Sequence, residues 1–319
     1  MYVKAAALLL ATGVSYVWLV FRADSWPEAI AAGTILALAL VGIGFNIQHD
    51  GNHGGFSRLP WMNRAAGFTL DLIGASSHFW KDKHNHSHHV FTNIPHEDAD
   101  IDLGGLARLS DGQRWLWFHR YQHVYLWGLY SFVHLRYLYS DIQRLLFGKN
   151  DGLTAKYPSG MTLVALLAGK AVFLTLSIGI PLMLHPWTVV ATGYVAVSMI
   201  MGVIFSVVFQ LAHSVDIVEH PSLHDDPDRE EWVVHQIGTT ANFATANRWI
   251  SVALGGLNFQ REHHLFPKVS HVHYPALSKM VHEVCAEHGI KCRENITLMS
   301  ALRSHYRFVR QMGIKPATV

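Results

Sequence analysis

Charge and cysteine are both scarce in this chain, and each shortage narrows its chemistry. Only 15% of the 319 residues are charged while half are hydrophobic, a balance too apolar for an ordinary soluble protein of this length. The two cysteines, Cys285 and Cys292, form no CxxC pair and are expected to be reduced thiols. No internal repeat and no low-complexity segment is present. A net charge of +2 says little about partners, and nothing in it points to nucleic acid.

What the chain has instead is long apolar runs. Four are about 20 residues or longer, enough to cross a bilayer: roughly 3–21, 29–47, 161–184 and 187–211. The first follows a basic Lys4 but has no clear small-residue cleavage site, so it reads as a retained helix and not a signal peptide. Short links, RADSWPE (22–28) and the turn around His185-Pro186, join the runs into two hairpins. Both links then lie on one face, with the N-terminus, residues 48–160 and residues 212–319 on the other. Of 25 Lys and Arg, only Arg22 lies in an outer link and only Lys170 deep inside a span. The positive-inside rule therefore makes the large face, with both termini, cytoplasmic. Lys170 is expected to snorkel. The stretch 115–147 is long and aromatic, but Arg120, His123, His134, Arg136, Asp141 and Arg144 are spread through it. Charges at that frequency are costly inside a membrane, so it reads as an interfacial helix pair and not a fifth span.

The 23 histidines are grouped. "NIQHDGNHGG" ends the second run and carries His49 and His53, four apart and so on one helix face. "WKDKHNHSHHVFTN" carries His84 and His88 on a shared face, with His89 about 100° further round. His86 points nearly opposite His84 and is excluded. "FQLAHSVD" places His213 just past the fourth run, and "NFQREHHLFP" supplies His263 and His264 with Gln260 a turn earlier. The second and fourth runs both head toward the cytoplasm, so all eight histidines fall on one face.

Each cluster alone has a plainer reading: a solvated surface pair, a helix-end histidine favoured by the dipole, a turn. Four clusters on one face favour a shared metal site. Eight imidazoles exceed the needs of one ion and suit two. Imidazole accommodates Zn, Cu, Fe or Ni, but a structural zinc takes four ligands and typically uses Cys. A redox pair without thiolates, under a bilayer, points to O₂ activation and attack on an unactivated C–H bond. An apolar substrate would reach it from the membrane, and no catalytic residue beyond the metal ligands is called for. Ligating histidines usually give their second N–H to a carboxylate or carbonyl. Asp50, Glu262, Asp98, Asp100 and Asp102 are near enough in sequence to serve, with a solvated surface acid as the alternative for each.

These residues resemble the membrane fatty acid desaturases. "HDGNH" is similar to that family's first histidine box, "HNHSHH" to the second and "QREHH" to the third. Glutamine at the head of the third box, and the stretch 239–277, resemble the front-end branch, which inserts a double bond between an existing one and the carboxyl end. The likeness runs from about residue 40 to 312. It implies that His49, His53, His84, His88, His89, His213, His263 and His264, completed by Gln260, hold two iron ions. It further implies O₂ as co-substrate, a fatty acyl substrate carried on CoA or a membrane lipid, and a cis alkene product. Phe209 stands where stearoyl-type relatives have an asparagine that holds a water on one iron. His235, Asn242 and Asn247 fall within the likeness as candidates for orienting the ligands. No HPGG haem motif of a fused cytochrome b5 occurs, so electrons are expected from a ferredoxin or a free cytochrome b5-like protein.

The expected architecture is thus an all-α integral membrane protein, 1–319 forming one domain. It has four transmembrane helices in two hairpins, interfacial helices, and a cytoplasmic helical cap holding a di-metal site. A bacterial inner membrane fits its prokaryotic look. The competing readings are a di-iron hydroxylase or ketolase of fatty acyl, alkyl or carotenoid chains, a haem cytochrome, and a metal transporter. The last two would place histidines or polar groups at mid-membrane, where the spans hold no histidine and only Lys170 as a charge.

Overall fold

A computed structural model describes residues 1–148, 157–221 and 232–316 and shows an almost entirely helical chain. Among the described residues four helices are long and apolar enough to cross a membrane: Tyr2–Phe21, Trp26–His53, Gly160–Leu184 and Trp187–His213. These are the four expected runs. The aromatic stretch breaks into a 3-10 turn, Trp117–Tyr121, and helices Gln122–Tyr130 and Val133–Phe147, none of them among the four. The only sheet among the described residues is one parallel pair, Asn242–Phe243 with Glu294–Asn295.

The chain divides into two compact units. Of the described residues, the first holds 1–80, 129–148 and 157–206, and the second 81–128, 207–221 and 232–316.

In the first unit the two N-terminal spans pack against each other. Pro27 sits at the start of the second, where a missing N–H costs nothing. Near its end that helix loosens into a π-helical stretch, Gly44–Gln48, before the final turn His49–His53, and Gly54 at φ 81° stops it. A single π turn within an α-helix often marks a functional site, and this one leads directly into the first histidine box. Gly51, between the two histidines, lies against helix Pro60–Leu72. A Cβ there would sit 2.5 Å from the Gly67 nitrogen, so only glycine fits.

Lys170 departs from expectation. It does not snorkel: its Nζ is buried and donates to Asp141 Oδ2 and to the Gly74 carbonyl, each at 2.6 Å. A carboxylate and a carbonyl within hydrogen-bond reach satisfy the ammonium where it stands, and the side chain has no need to extend toward water.

The second unit is built around the tail helices Tyr274–Glu287 and Leu298–Met312. Arg108, buried, donates Nη1 to the Met312 carbonyl, and Gln122 gives Nε2 to the carbonyls of Arg108 and Val309. These contacts fix the end of the last helix to the segment that follows the second histidine box.

Candidate metal centre

The first unit contributes His49 and His53, both buried, with ring centroids 4.8 Å apart. Each ring stands 5.7 Å from the indole of Trp80, which wedges edge-on against the pair. Four-residue spacing on the closing turn puts both imidazoles on one face, as the sequence implies. Asp50, between them, is buried too.

The second unit gathers the other six histidines. Its second box is not an α-helix: Asp82–His88 is π-helical, running into a short α turn at His89–Phe91. A π-helix bonds i to i+5, so residues five apart lie over each other. This corrects the expected 100° offset of His89 from its neighbour. His84 and His89 bring their Nε2 atoms to 3.2 Å, while His84 and His88 stack with centroids 5.3 Å apart. His86 is outside the cluster, its side chain 75% exposed and its Nδ1 3.7 Å from Asp82.

His213 closes the fourth span and comes within 4.5 Å, centroid to centroid, of His88 and 4.8 Å of His264. His263 and His264 lie on the short helix Gln260–Leu265; His264 stacks on His89 at 4.2 Å, and His263 meets His89 at 4.6 Å. Three sets in this unit could each hold an ion: His88, His213 and His264; His89, His263 and His264; His84, His88 and Asp100. Within each set the ligand atoms lie within 4.8 Å of one another. Gln260 is buried on the same short helix, and Phe209 has its ring 6.1 Å from His84, edge-on.

Neighbouring groups orient the rings. Asp98, fully buried, takes His88 Nδ1 at 3.0 Å and the backbone N–H of Asn93 and of Asp100, each at 2.9 Å. Asp100 pairs with Lys83 at 2.7 Å, which holds its carboxyl well below the usual range against the opposing effect of burial. Burial pushes the His84 imidazole down to about 4, the neutral form that ligates. His264 donates Nδ1–H to Gln236 Oε1 at 2.7 Å, and Gln236 is itself fixed by giving Nε2 to the His89 carbonyl at 3.2 Å. His263 Nδ1 meets the Tyr274 hydroxyl at 3.2 Å.

Among the sequence-level candidates, Glu262 is buried and tied to Arg261 Nη2 at 2.8 Å and Asn242 Nδ2 at 2.7 Å. It braces the third box from behind. Asn242 also accepts the Arg261 N–H at 3.0 Å, so its side chain fixes the start of the ligand helix. His235 is only half-buried, and its neighbour Gln236 makes the contact to His264. Asn247 is exposed and caps helix Arg248–Ala253 through the N–H groups of Trp249 and Ile250. Asp102 is likewise exposed, closing a turn onto Gly104. Three residues that sequence reasoning passed over are central: Gln236, Tyr274 and Asn93. At φ 61° Asn93 sends its amide to the carbonyls of His213, Glu219 and Thr239. The only advance signals were adjacency to His235 and the "FTN" that closes the second box.

The arrangement fits a metal. His88 is held at Nδ1, and its Nε2 is buried with no hydrogen-bond partner among the described residues. That is the pattern of an imidazole whose second nitrogen is oriented for an ion. A buried, thiolate-free, histidine-rich cluster that could hold metal, on a chain with four helices apolar enough to cross a membrane, is the arrangement of a membrane metalloenzyme.

Comparison with known proteins narrows the class. The family model described as fatty acid desaturase matches residues 24–295. The sn-1 linoleoyl-lipid 6-desaturase of Arthrospira platensis is 36% identical over 324 aligned positions, spanning 100% of this chain and 87% of its own. The protein of the same name from Synechocystis sp. is 35% identical over 98% of this chain and 88% of its own. The chloroplastic acyl-lipid (7-3)-desaturase of Chlamydomonas reinhardtii is 35% identical, matching 89% of this chain and 56% of its own length. The chain belongs to the fatty acid desaturase family. It is an oxidoreductase that introduces double bonds into fatty acyl chains, and the hydroxylase reading is not favoured.

Proposed function

We propose that the protein is a front-end acyl-lipid desaturase, placing a cis double bond on the carboxyl side of an existing one. The observation that carries this reading is the third box, where Gln260 precedes His263 and His264 on one buried helix. The similarity to two linoleoyl-lipid 6-desaturases over nearly the whole chain supports a lipid-borne substrate.

In this reading His49, His53, His84, His88, His89, His213, His263 and His264, with Gln260, hold two iron ions. When bound, the irons would supply the O₂-dependent oxidising power that removes hydrogen from two adjacent methylenes. The protein's own work is positional. Asp98, Gln236 and Tyr274 set the rings of His88, His264 and His263, while Arg261, Glu262 and Asn242 keep the third box rigid beneath them. Two electrons per double bond come from a separate carrier of the ferredoxin or cytochrome b5 type. The excess of Lys and Arg on the face carrying the boxes supports a cytoplasmic site in a bacterial inner membrane.

The test is gas chromatography–mass spectrometry of total fatty acids from a host expressing this chain with ferredoxin and its reductase. Mono- and diunsaturated acids are supplied and the product bond located by derivatisation. A new bond between the existing one and the carboxyl end is expected. A hydroxylated product, or a bond on the methyl side, would overturn the proposal.

A further inference from the structure

The last helix, Leu298–Met312, buries Ala301, Ser304, His305, Phe308, Val309 and Met312 against its own unit. Its other face is basic: Arg303, Arg307 and Arg310 recur at helical spacing, all exposed. Two clefts that share Tyr306 open on this face. One, about 440 Å³, is lined by Trp127, Leu302, Arg303 and Arg307; the other, about 680 Å³, by Trp115, Arg120, His123, Arg310 and Lys315 among others. Arg307 is paired with Asp216 at 2.5 Å, whereas among the described residues Arg120, Arg303, Arg310 and Lys315 pair with no carboxylate.

This face is connected to the metal ligands. The Trp127 ring stands edge-on to His305 at 5.5 Å. His305 Nδ1–H donates to the Ser214 carbonyl at 2.6 Å. Ser214 directly follows His213 in the chain, and His213 lies among the candidate ligands. One aromatic contact, one hydrogen bond and one peptide thus link the basic surface to an imidazole of the centre.

We infer that the Arg303–Arg310 face is the docking surface for an acidic one-electron carrier of the ferredoxin class, with Trp127 and His305 linking it to His213. The inference rests on the desaturase reading, which requires such a carrier. Each docked carrier is oxidised by one electron, and two carriers serve one double bond. The two electrons and two protons, with the two hydrogens taken from the acyl chain, reduce O₂ to two waters. Unpaired guanidinium groups around concave aromatic clefts complement an acidic globular surface. A lipid headgroup would use the same charges but would have no need of the link to His213.

The experiment uses the iron-loaded enzyme in nanodiscs and a plant-type [2Fe–2S] ferredoxin as probe. Affinity is measured by biolayer interferometry across ionic strengths, and electron delivery by anaerobic stopped-flow oxidation of the reduced ferredoxin. The double variant R303E/R310E should weaken binding by about tenfold or more at low salt, and the difference should shrink as salt rises. K279E/K291E makes the same charge change on exposed residues that line neither cleft and should change affinity less than about twofold. At saturating ferredoxin, Trp127→Leu should slow delivery from ferredoxin about fivefold or more, and should slow it more than it slows reduction by dithionite. Equal losses in the two double variants would overturn the inference. So would weaker adsorption of R303E/R310E to phosphatidylglycerol vesicles with ferredoxin binding intact, which would assign the face to lipid. If the wild type binds and oxidises ferredoxin at this face yet forms no alkene, the docking surface stands and the desaturase reading fails.

Discussion

In the first unit, Lys170 gives its ammonium to Asp141 and the Gly74 carbonyl, and Asp71 takes both the N–H and the hydroxyl of Ser77. In the second, His88 gives Nδ1 to Asp98 and keeps Nε2 buried without a hydrogen-bond partner, and Gln260 Nε2 is in the same condition. Both regions bury polar groups at a cost. The cluster around Lys170 and Asp71 satisfies its charged groups from within the protein, which is what a structural cluster does. The second satisfies one side of a ring and turns the other toward its neighbours, an arrangement that is stable only if something else completes it. The distinction separates a buried polar cluster that holds helices together from one suited to hold an ion.

The comparison breaks most sharply at a ligand. His263→Ala or His89→Ala should remove most bound iron, read by inductively coupled plasma mass spectrometry, and abolish product formation. His86→Ala, on an exposed ring in the same box, should do neither. Iron loss on changing His86 would undo the assignment of faces in the π-helical turn.

The structural cluster should answer in stability. Lys170→Met leaves Asp141 buried without its lysine partner and is expected to cost about 3–5 kcal/mol, measured by unfolding in detergent. Adding Asp141→Leu should recover most of the loss, and iron per folded molecule should be unchanged throughout. If Lys170→Met stripped iron from protein that remains folded, the cluster would belong to the site.

Smaller effects are expected behind the ligands. Asp98→Asn and Gln236→Leu disturb the groups that orient His88 and His264, and each should lower iron affinity or activity about 10–100-fold. Chelator competition on the folded variants measures it. An Asp98→Asn enzyme with unaltered iron affinity would make Asp98 only a brace for the loop through Asn93 and Asp100.

Which parts were legible in the sequence follows from the range of each signal. The spans were readable because an apolar run of that length has few other solutions. The His49–His53 pair was readable because four-residue spacing on a helix end fixes a face. The second box was only half readable: His84, His88 and His89 do gather, but the π-helical turn that sets His84 over His89 leaves no mark on hydrophobic period. Lys170 was misjudged because its partner, Asp141, is 29 residues away in the chain, in a stretch whose charges had been read as a sign of the interface. His235 was singled out for being a histidine, while the contact is made by the amide beside it. Asn247 looked functional from its motif but caps a helix, a role that its position before Arg248–Ala253 already allowed.

The smallest effect sharpens the comparison from the first unit's side. Burial pushes the Asp71 carboxyl up to about 6 from its ordinary 3.8, against the hydrogen bonds from Ser77 and the attraction of Lys170. A folded-state value above the unfolded one means that the folded chain holds the proton longer. As pH rises from about 4 to about 6 the unfolded chain ionises Asp71 first, so stability falls across that window and levels off above it. Asp71→Asn removes this dependence. Below about pH 4 the variant should hold no advantage; at pH 7 it should be ahead by about 1 kcal/mol, the lost Ser77 and Lys170 interactions offsetting much of the relief. The measurement is the difference in apparent Tm between variant and wild type in detergent from pH 4 to 7. A difference flat with pH would mean that Asp71 ionises in the fold as readily as in water, the Ser77 hydrogen bonds and the attraction of Lys170 offsetting the whole cost of its burial.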